Sequence, residues 1–188
     1  MTGTSHTLKR RHKGLTDYRK RKRYLVSRKP RLVSRTSNRY TTAAIVSMSK
    51  DGERTIVSAS SKELKKLGWR FGLNNVPAAY LTGCLLAKRA SGMDLGEVIL
   101  DIGLATPTKG NKSFALAKGC SDSGLRVLFN ESVAPAEERI RGEHLVSFAS
   151  SGQVGNTFSA LRAEGVDLKS MPDEFSSFLS RIREGRVG

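Results

Sequence analysis

The charge of this chain is segregated. Residues 1–40 hold 14 Lys and Arg against a single acid, Asp17, whereas residues 41–188 hold 19 bases against 16 acids. A segment so one-sidedly basic repels itself when compact, and residues 1–23 offer too few apolar side chains to bury a core. Residues 1–29 are therefore expected to form a basic arm with no fixed structure until an anionic partner holds it. The fold has to be built from residue 30 onward. A formal charge of +16 over 188 residues makes a polyanion the natural partner. Nucleic acid fits better than a membrane, since no stretch approaches the roughly 20 apolar residues of a spanning helix. The start of the chain is polar and then basic, unlike a signal peptide. Two cysteines, Cys84 and Cys120, make no disulfide framework and point to a reducing cytoplasm.

Within the arm, Lys9, Arg10, Arg11, His12 and Lys13 precede a run in which Arg19, Lys20, Arg21, Lys22, Arg23, Arg28 and Lys29 alternate with Tyr18 and Tyr24. Such cations neutralise phosphates and release counterions, while the rings can stack on exposed bases. The plainer alternative is a solvated tail or a targeting signal.

The rest reads as an α/β core over residues 30–130 and a helical region over 131–188. Leu32, Val33 and Thr36 predict a strand over about 31–38. Alternation places Arg31, Val33, Arg35, Ser37 and Arg39 on one face, with no acid between them and Asp51. That face is expected to turn toward RNA and to lack a covering helix. Thr41–Met48 and Arg54–Ser60 read as a hairpin, on the signal of Asp51-Gly52. Ser61–Leu67 predicts a short helix and Ala78–Ala90, opened by Pro77, a long buried one. Glu97–Ile102 reads as a central parallel strand reached by a right-handed crossover. A helix over Asn111–Ser121 and a last strand over Arg126–Phe129 follow. Ala136–Phe148 and Pro172–Glu184 predict peripheral helices, with a Ser/Gly-rich loop over Ala149–Asn156.

Little here suggests catalysis. His6, His12 and His144 do not combine with the cysteines at any metal-ligand spacing, and no nucleophile elbow is present. The segment Thr106–Ser113 joins a strand to a helix with Thr108, Lys109, Asn111 and Lys112, the chemistry of a phosphate seat. Its glycines do not match the P-loop spacing, so an RNA phosphate is the expected guest; the plainer alternative is an ordinary capped helix.

Lys29–Arg39 resembles the first-strand signature of the universal L-eighteen family of large-subunit ribosomal proteins, in its archaeal and eukaryotic branch. Asn75–Gly83 is similar to that family's central-helix motif. Leu100–Leu104, Pro107–Gly110 and Gly119–Leu125 resemble its strand–loop–helix block, and Arg141-Gly142-Glu143-His144 a later element. The residues after about 150 match less well. The resemblance implies a mixed five-stranded sheet with helices packed on it, of ribonuclease-H-like topology. It implies a structural, cofactor-free role: binding 5S rRNA and attaching it to the central protuberance, beside large-subunit rRNA and neighbouring proteins. Carried over by motif position, the RNA contacts are the arm, Arg31, Arg35, Ser37, Asn38, Arg39, and Thr108, Lys109, Asn111 and Lys112, with Arg141 and His144 as further candidates.

Two other classes remain to be weighed. A two-metal nuclease needs several carboxylates converging at strand ends, and Asp101 alone does not provide them. A DNA-binding or chromatin protein would share the arm, but its recognition helix would have to be exposed, and Ala78–Ala90 is too apolar for that.

Overall fold

The alternating stretch after Pro30 folds into three antiparallel strands in a computed structural model that describes residues 8–151 and 158–185. These are β1 (Arg31–Thr36), β2 (Thr41–Ser49) and β3 (Gly52–Ser60). Ser49 pairs with Gly52, so the hairpin turn consists of Lys50 and Asp51 alone. Gly52, at φ +122°, already belongs to the strand and supplies a conformation that a side chain would resist. Two parallel strands complete the sheet: β4 (Val98–Asp101) beside β1, and β5 (Val127–Leu128) beside β4. The order β3-β2-β1-β4-β5 is the mixed five-stranded sheet expected, and it fits the ribonuclease-H-like topology.

Helices α3 (Ser61–Lys66), α4 (Val76–Ala90) and α5 (Lys112–Asp122) follow the strands. A capping box, Ser60 with Glu63, starts α3, and Asn75 caps α4 with Pro77 in its first turn. Helix α4 is buried nearly all round because it lies between the sheet and its neighbours. It crosses α5 at two glycines, Gly83 and Gly119. There the backbones come so close that Cys84 Sγ donates to the Gly119 carbonyl at 3.4 Å and Cys120 Sγ to the Gly83 carbonyl at 3.3 Å. Burial pushes the Cys84 thiol up to about 11, so it behaves as an inert core residue. Leu32, Ala43, Ile45 and Val98 face this helical layer.

The C-terminal helices sit beside that layer. The helix expected over Ala136–Phe148 is two, α6 (Glu137–Arg141) and α7 (Glu143–Ser150), because Gly142 breaks it at φ +88°. A Cβ at Gly142 would come within 2.8 Å of Met171 Sδ, so the break is also a close packing point. A short α8 (Ser159–Ala163), absent from the sequence reading, precedes α9 (Met171–Glu184). The amphipathic α9 buries Met171, Phe175, Phe178 and Ile182 in the same core. Phe178 meets Trp69 edge-on at 5.5 Å, and Phe175 lies 5.7 Å from the Tyr80 ring. Of the expected loop, residues 152–156 lie outside the described residues, as do 1–7 with His6. Among the described residues, no helix is long and apolar enough to cross a membrane.

The other sheet face meets the arm. Residues Lys9–His12 form a single turn, α1, and Tyr18–Ser27 form α2, so an arm wholly without fixed structure is not what the chain adopts. The sequence contains the reason. Asp17 accepts the Arg19 and Lys20 N–H groups at 2.9 and 3.1 Å, a helix cap that holds its own carboxyl below the usual range. Even so, α2 buries no residue completely, consistent with its lack of an apolar face.

Candidate nucleic-acid interface

Alternation along β1 sends Leu32 and Ser34 toward the helices and Arg31, Val33 and Arg35 toward the arm. The expectation that no helix covers this face is not met. Arg31 is only 9% exposed, and Tyr24 of α2 lies over it, ring centroid 5.7 Å from its guanidinium carbon. Its charge is compensated by acids distant in sequence. Arg31 donates to Asp101 Oδ2 at 2.7 Å and also pairs with Glu53, which accepts Arg21 of α2 at 2.9 Å. Asp101 also accepts the Gly103 N–H at 2.8 Å. The acids missing from residues 31–50 are thus supplied by β3 and β4, and Arg31 ties the sheet together.

Arg35 is different. It donates to the Asp101 carbonyl at 2.9 Å, yet its side chain remains 48% exposed. It stands at the rim of a cleft of about 570 Å³ between the arm and the sheet, which Arg10, Leu15, Tyr24, Val33 and Leu104 also line. Its guanidinium lies against Gly103, where a Cβ would come within 2.9 Å of the guanidinium carbon.

Ser37, Asn38 and Arg39 leave the strand, which ends at Thr36, so they do not share its face as alternation predicts. They form a turn held by Ser37, whose hydroxyl donates to the Tyr40 carbonyl at 2.8 Å and accepts the Arg39 and Tyr40 N–H groups at 3.3 and 3.1 Å. All three side chains are exposed. The turn is joined to the expected phosphate loop by a residue the sequence reading missed, Asn74. Its amide donates to the Asn38 carbonyl at 3.1 Å, and its oxygen accepts Lys112 Nζ at 2.8 Å. Asn74 precedes a helix cap, and nothing local distinguishes it; its partners lie 36 and 38 residues away. In the loop, Asn111 caps α5 by accepting the Ser113 N–H at 3.1 Å, while Thr108 and Lys109 remain exposed. The helix N-terminus is therefore already satisfied, and what this loop offers an anion is side chains.

The arm adds the largest cationic surface. Lys9, Arg10, Arg11, His12, Lys13, Arg19, Lys20, Lys22, Arg23, Arg28 and Lys29 are exposed, whereas Tyr18, Arg21 and Tyr24 are half-buried. Lys29 meets Glu97 at 2.5 Å, and the arm's single acid, Asp17, is spent on its cap. Arg141 and His144 are not gathered in. Arg141 pairs with Glu137 of its own helix at 2.9 Å, and α6 packs on α4 and α9 on the helical side. Partial burial, with the Arg139 charge, holds His144 below the ordinary imidazole value. Among the described residues, no group of three or more His, Cys, Asp or Glu is placed to hold a metal.

Substitution at the two exposed arginines separates binding from folding. Arg35→Ala and Arg39→Ala are each expected to weaken RNA binding several-fold. Arg39→Ala leaves the thermal melt unmoved, since its side chain is in water and within about 0.5 kcal/mol of neutral. A shifted melt with unchanged binding for Arg39→Ala would make that residue structural.

Comparison with known proteins gives a consistent result. A family described as ribosomal large subunit proteins 60S L5 and 50S L18 matches residues 5–94. The large ribosomal subunit protein uL18 of Korarchaeum cryptofilum is 44% identical over 93% of this chain and 91% of its own length. That of Methanothermobacter thermautotrophicus is 42% identical over 94% of this chain and 93% of its own. The Natronomonas pharaonis protein is 41% identical over 97% and 98%. Similarity at this level spans the arm, the sheet, the Asn74-linked loops and the C-terminal helices, so the chain belongs to the uL18 family of large-subunit ribosomal proteins, a structural family and not one of enzymes.

Proposed function

We propose that this protein binds 5S rRNA and fastens it within the central protuberance of the large subunit, against large-subunit rRNA and neighbouring proteins. The observations that carry this reading are a basic arm laid over one face of the sheet and, where β1 ends, the Ser37–Arg39 turn that Asn74 ties to the Thr108–Lys112 loop. The arm cations neutralise backbone phosphates, and such contacts fix register without reading sequence. Arg35, Asn38 and Arg39 present directional donors that suit sugar and base edges of a folded RNA. Arg31 supports this surface from beneath and makes no contact with RNA. The particular choice of 5S rRNA rests on the motif resemblance at Lys29–Arg39 and Leu100–Gly110.

A gel shift of the full chain with 5S rRNA and with duplex DNA of equal length tests the reading. The 5S complex is expected at a concentration at least tenfold lower, and deletion of residues 1–28 is expected to weaken it sharply. The deleted protein should still melt cooperatively, because α2 contributes no fully buried residue. Equal affinity for the DNA would favour a general nucleic-acid binder instead.

A further inference from the structure

We infer that the protein carries a second surface for RNA phosphates, independent of the arm, at the end of the molecule where α3 meets the C-terminal turns of α4 and α9. The inference rests on the reading that the protein binds RNA.

Three segments remote in sequence meet there. Lys62, Lys65 and Lys66 lie on α3, and Arg70 just beyond it. Lys88 and Arg89 end α4, and Arg181 and Arg183 end α9. Contacts hold the segments together. Arg89 pairs with Glu63 of α3 and donates to the Ser58 carbonyl at 2.7 Å. Lys88 Nζ donates to the Arg183 carbonyl at 2.8 Å, and Arg181 Nη1 reaches within 3.9 Å of where a side chain on Gly68 would begin. All eight basic side chains are exposed.

The charge balance marks this end as unusual. Eight bases stand here against Glu63 and Glu184, although residues 41–188 as a whole have 19 bases and 16 acids. The rest of that stretch is therefore net acidic, with 11 bases against 14 acids. Glu63 is already committed, to Arg89 and to the Ser60 N–H at 2.8 Å. The lysines at 62, 65 and 66 share a helix face at three- and four-residue spacing, where like charges repel. A fold that gathers cations from three places, at a cost to the free protein, is arranged for an anionic partner.

The partner is better an RNA backbone than an acidic protein. A protein interface is held at its centre by large apolar or aromatic anchors. Among the described residues, none of the exposed large apolar side chains lies on these three segments. The position also matters. This patch lies on the helical side of the sheet and the arm on the other, and Lys62 Nζ, at the patch's edge, sits 4.1 Å above the Tyr40 ring. An RNA segment gripped by the arm leaves this surface free for another.

The test uses the full chain saturated with 5S rRNA and offers it a labelled 20-base-pair RNA duplex. The wild type is expected to form a ternary complex. The triple variant Lys65→Gln, Lys66→Gln, Arg70→Gln is expected to bind the duplex at least tenfold more weakly. Its log–log salt slope for the duplex should be shallower by about two to three. Its affinity for 5S rRNA should stay within twofold, and its melt should not move. A wild-type complex that refuses the duplex, or a variant that takes it equally well, overturns this inference alone. Failure of the wild type to bind 5S rRNA at all overturns both this inference and the reading beneath it.

Discussion

Arg31→Ala is expected to destabilise the folded protein by about 2–3 kcal/mol, the cost of taking the nearest cation from a buried carboxylate that keeps only Arg35, at 3.5 Å, and the Gly103 N–H. The side chain is 10% exposed and Asp101 6%, so neither charge can be rescued by water when the other is removed. Asp101→Ala should cost a similar amount, for it would leave Arg31 to Glu53 alone and release the Gly103 N–H as well. The double variant Arg31→Met, Asp101→Leu should recover much of the loss, because an apolar pair carries no desolvation penalty. Urea unfolding midpoints of the three variants make the comparison. A loss under about 1 kcal/mol for Arg31→Ala, together with weakened RNA binding, would return Arg31 to the RNA-facing surface.

The second large effect concerns the crossing of α4 and α5. A Cβ on Gly83 would lie 2.2 Å from the Leu116 carbonyl oxygen and 3.1 Å from the Cys120 nitrogen. A Cβ on Gly119 would lie 2.2 Å from the Tyr80 carbonyl oxygen. These neighbours are helix backbone, so the overlap is relieved only by driving the helices apart. Gly83→Ala should therefore cost about 3 kcal/mol or more despite alanine's better helix propensity. For a domain of this size that corresponds to a melting temperature lower by roughly 6–12 °C. Gly119→Ala should do the same, and the pair should be less than additive, since one separation of the helices relieves both. Melts of the single variants within about 2 °C of wild type would show that the helices cross less closely than described.

Much of the architecture was legible because its signals are local. The β1–β2–β3 meander follows from alternation and a turn sequence, α4 from its unbroken apolar run behind Pro77, and β4 from a short apolar segment bounded by acids. What escaped depends on contacts between distant residues. Nothing near Arg31 reveals that Asp101, 70 residues on, will neutralise it. Alternation predicted its face correctly and its environment wrongly, because charge compensation across a sheet has no sequence period. Ser37–Arg39 look like strand by continuation, yet a serine hydroxyl bonding its own neighbours competes with the ladder and ends it. Asn74, which joins the turn to the loop, gives no local sign of that role. In the arm, composition argued against structure, but a single aspartate at the cap and a sheet face in need of partial cover suffice to fold α2. The break at Gly142 was hidden because the glycine falls inside an otherwise helical pattern, and the Met171 it lies against is 29 residues on.

The most direct test of the account is the affinity of the full chain for 5S rRNA across a salt series. If the arm, turn and loop together neutralise about eight phosphates, log affinity should fall with log salt at a slope of roughly −6 to −7. Deleting residues 1–28 should remove the larger part of that slope. A flat salt response, or a slope that the deletion leaves unchanged, would contradict the assignment of this surface to RNA.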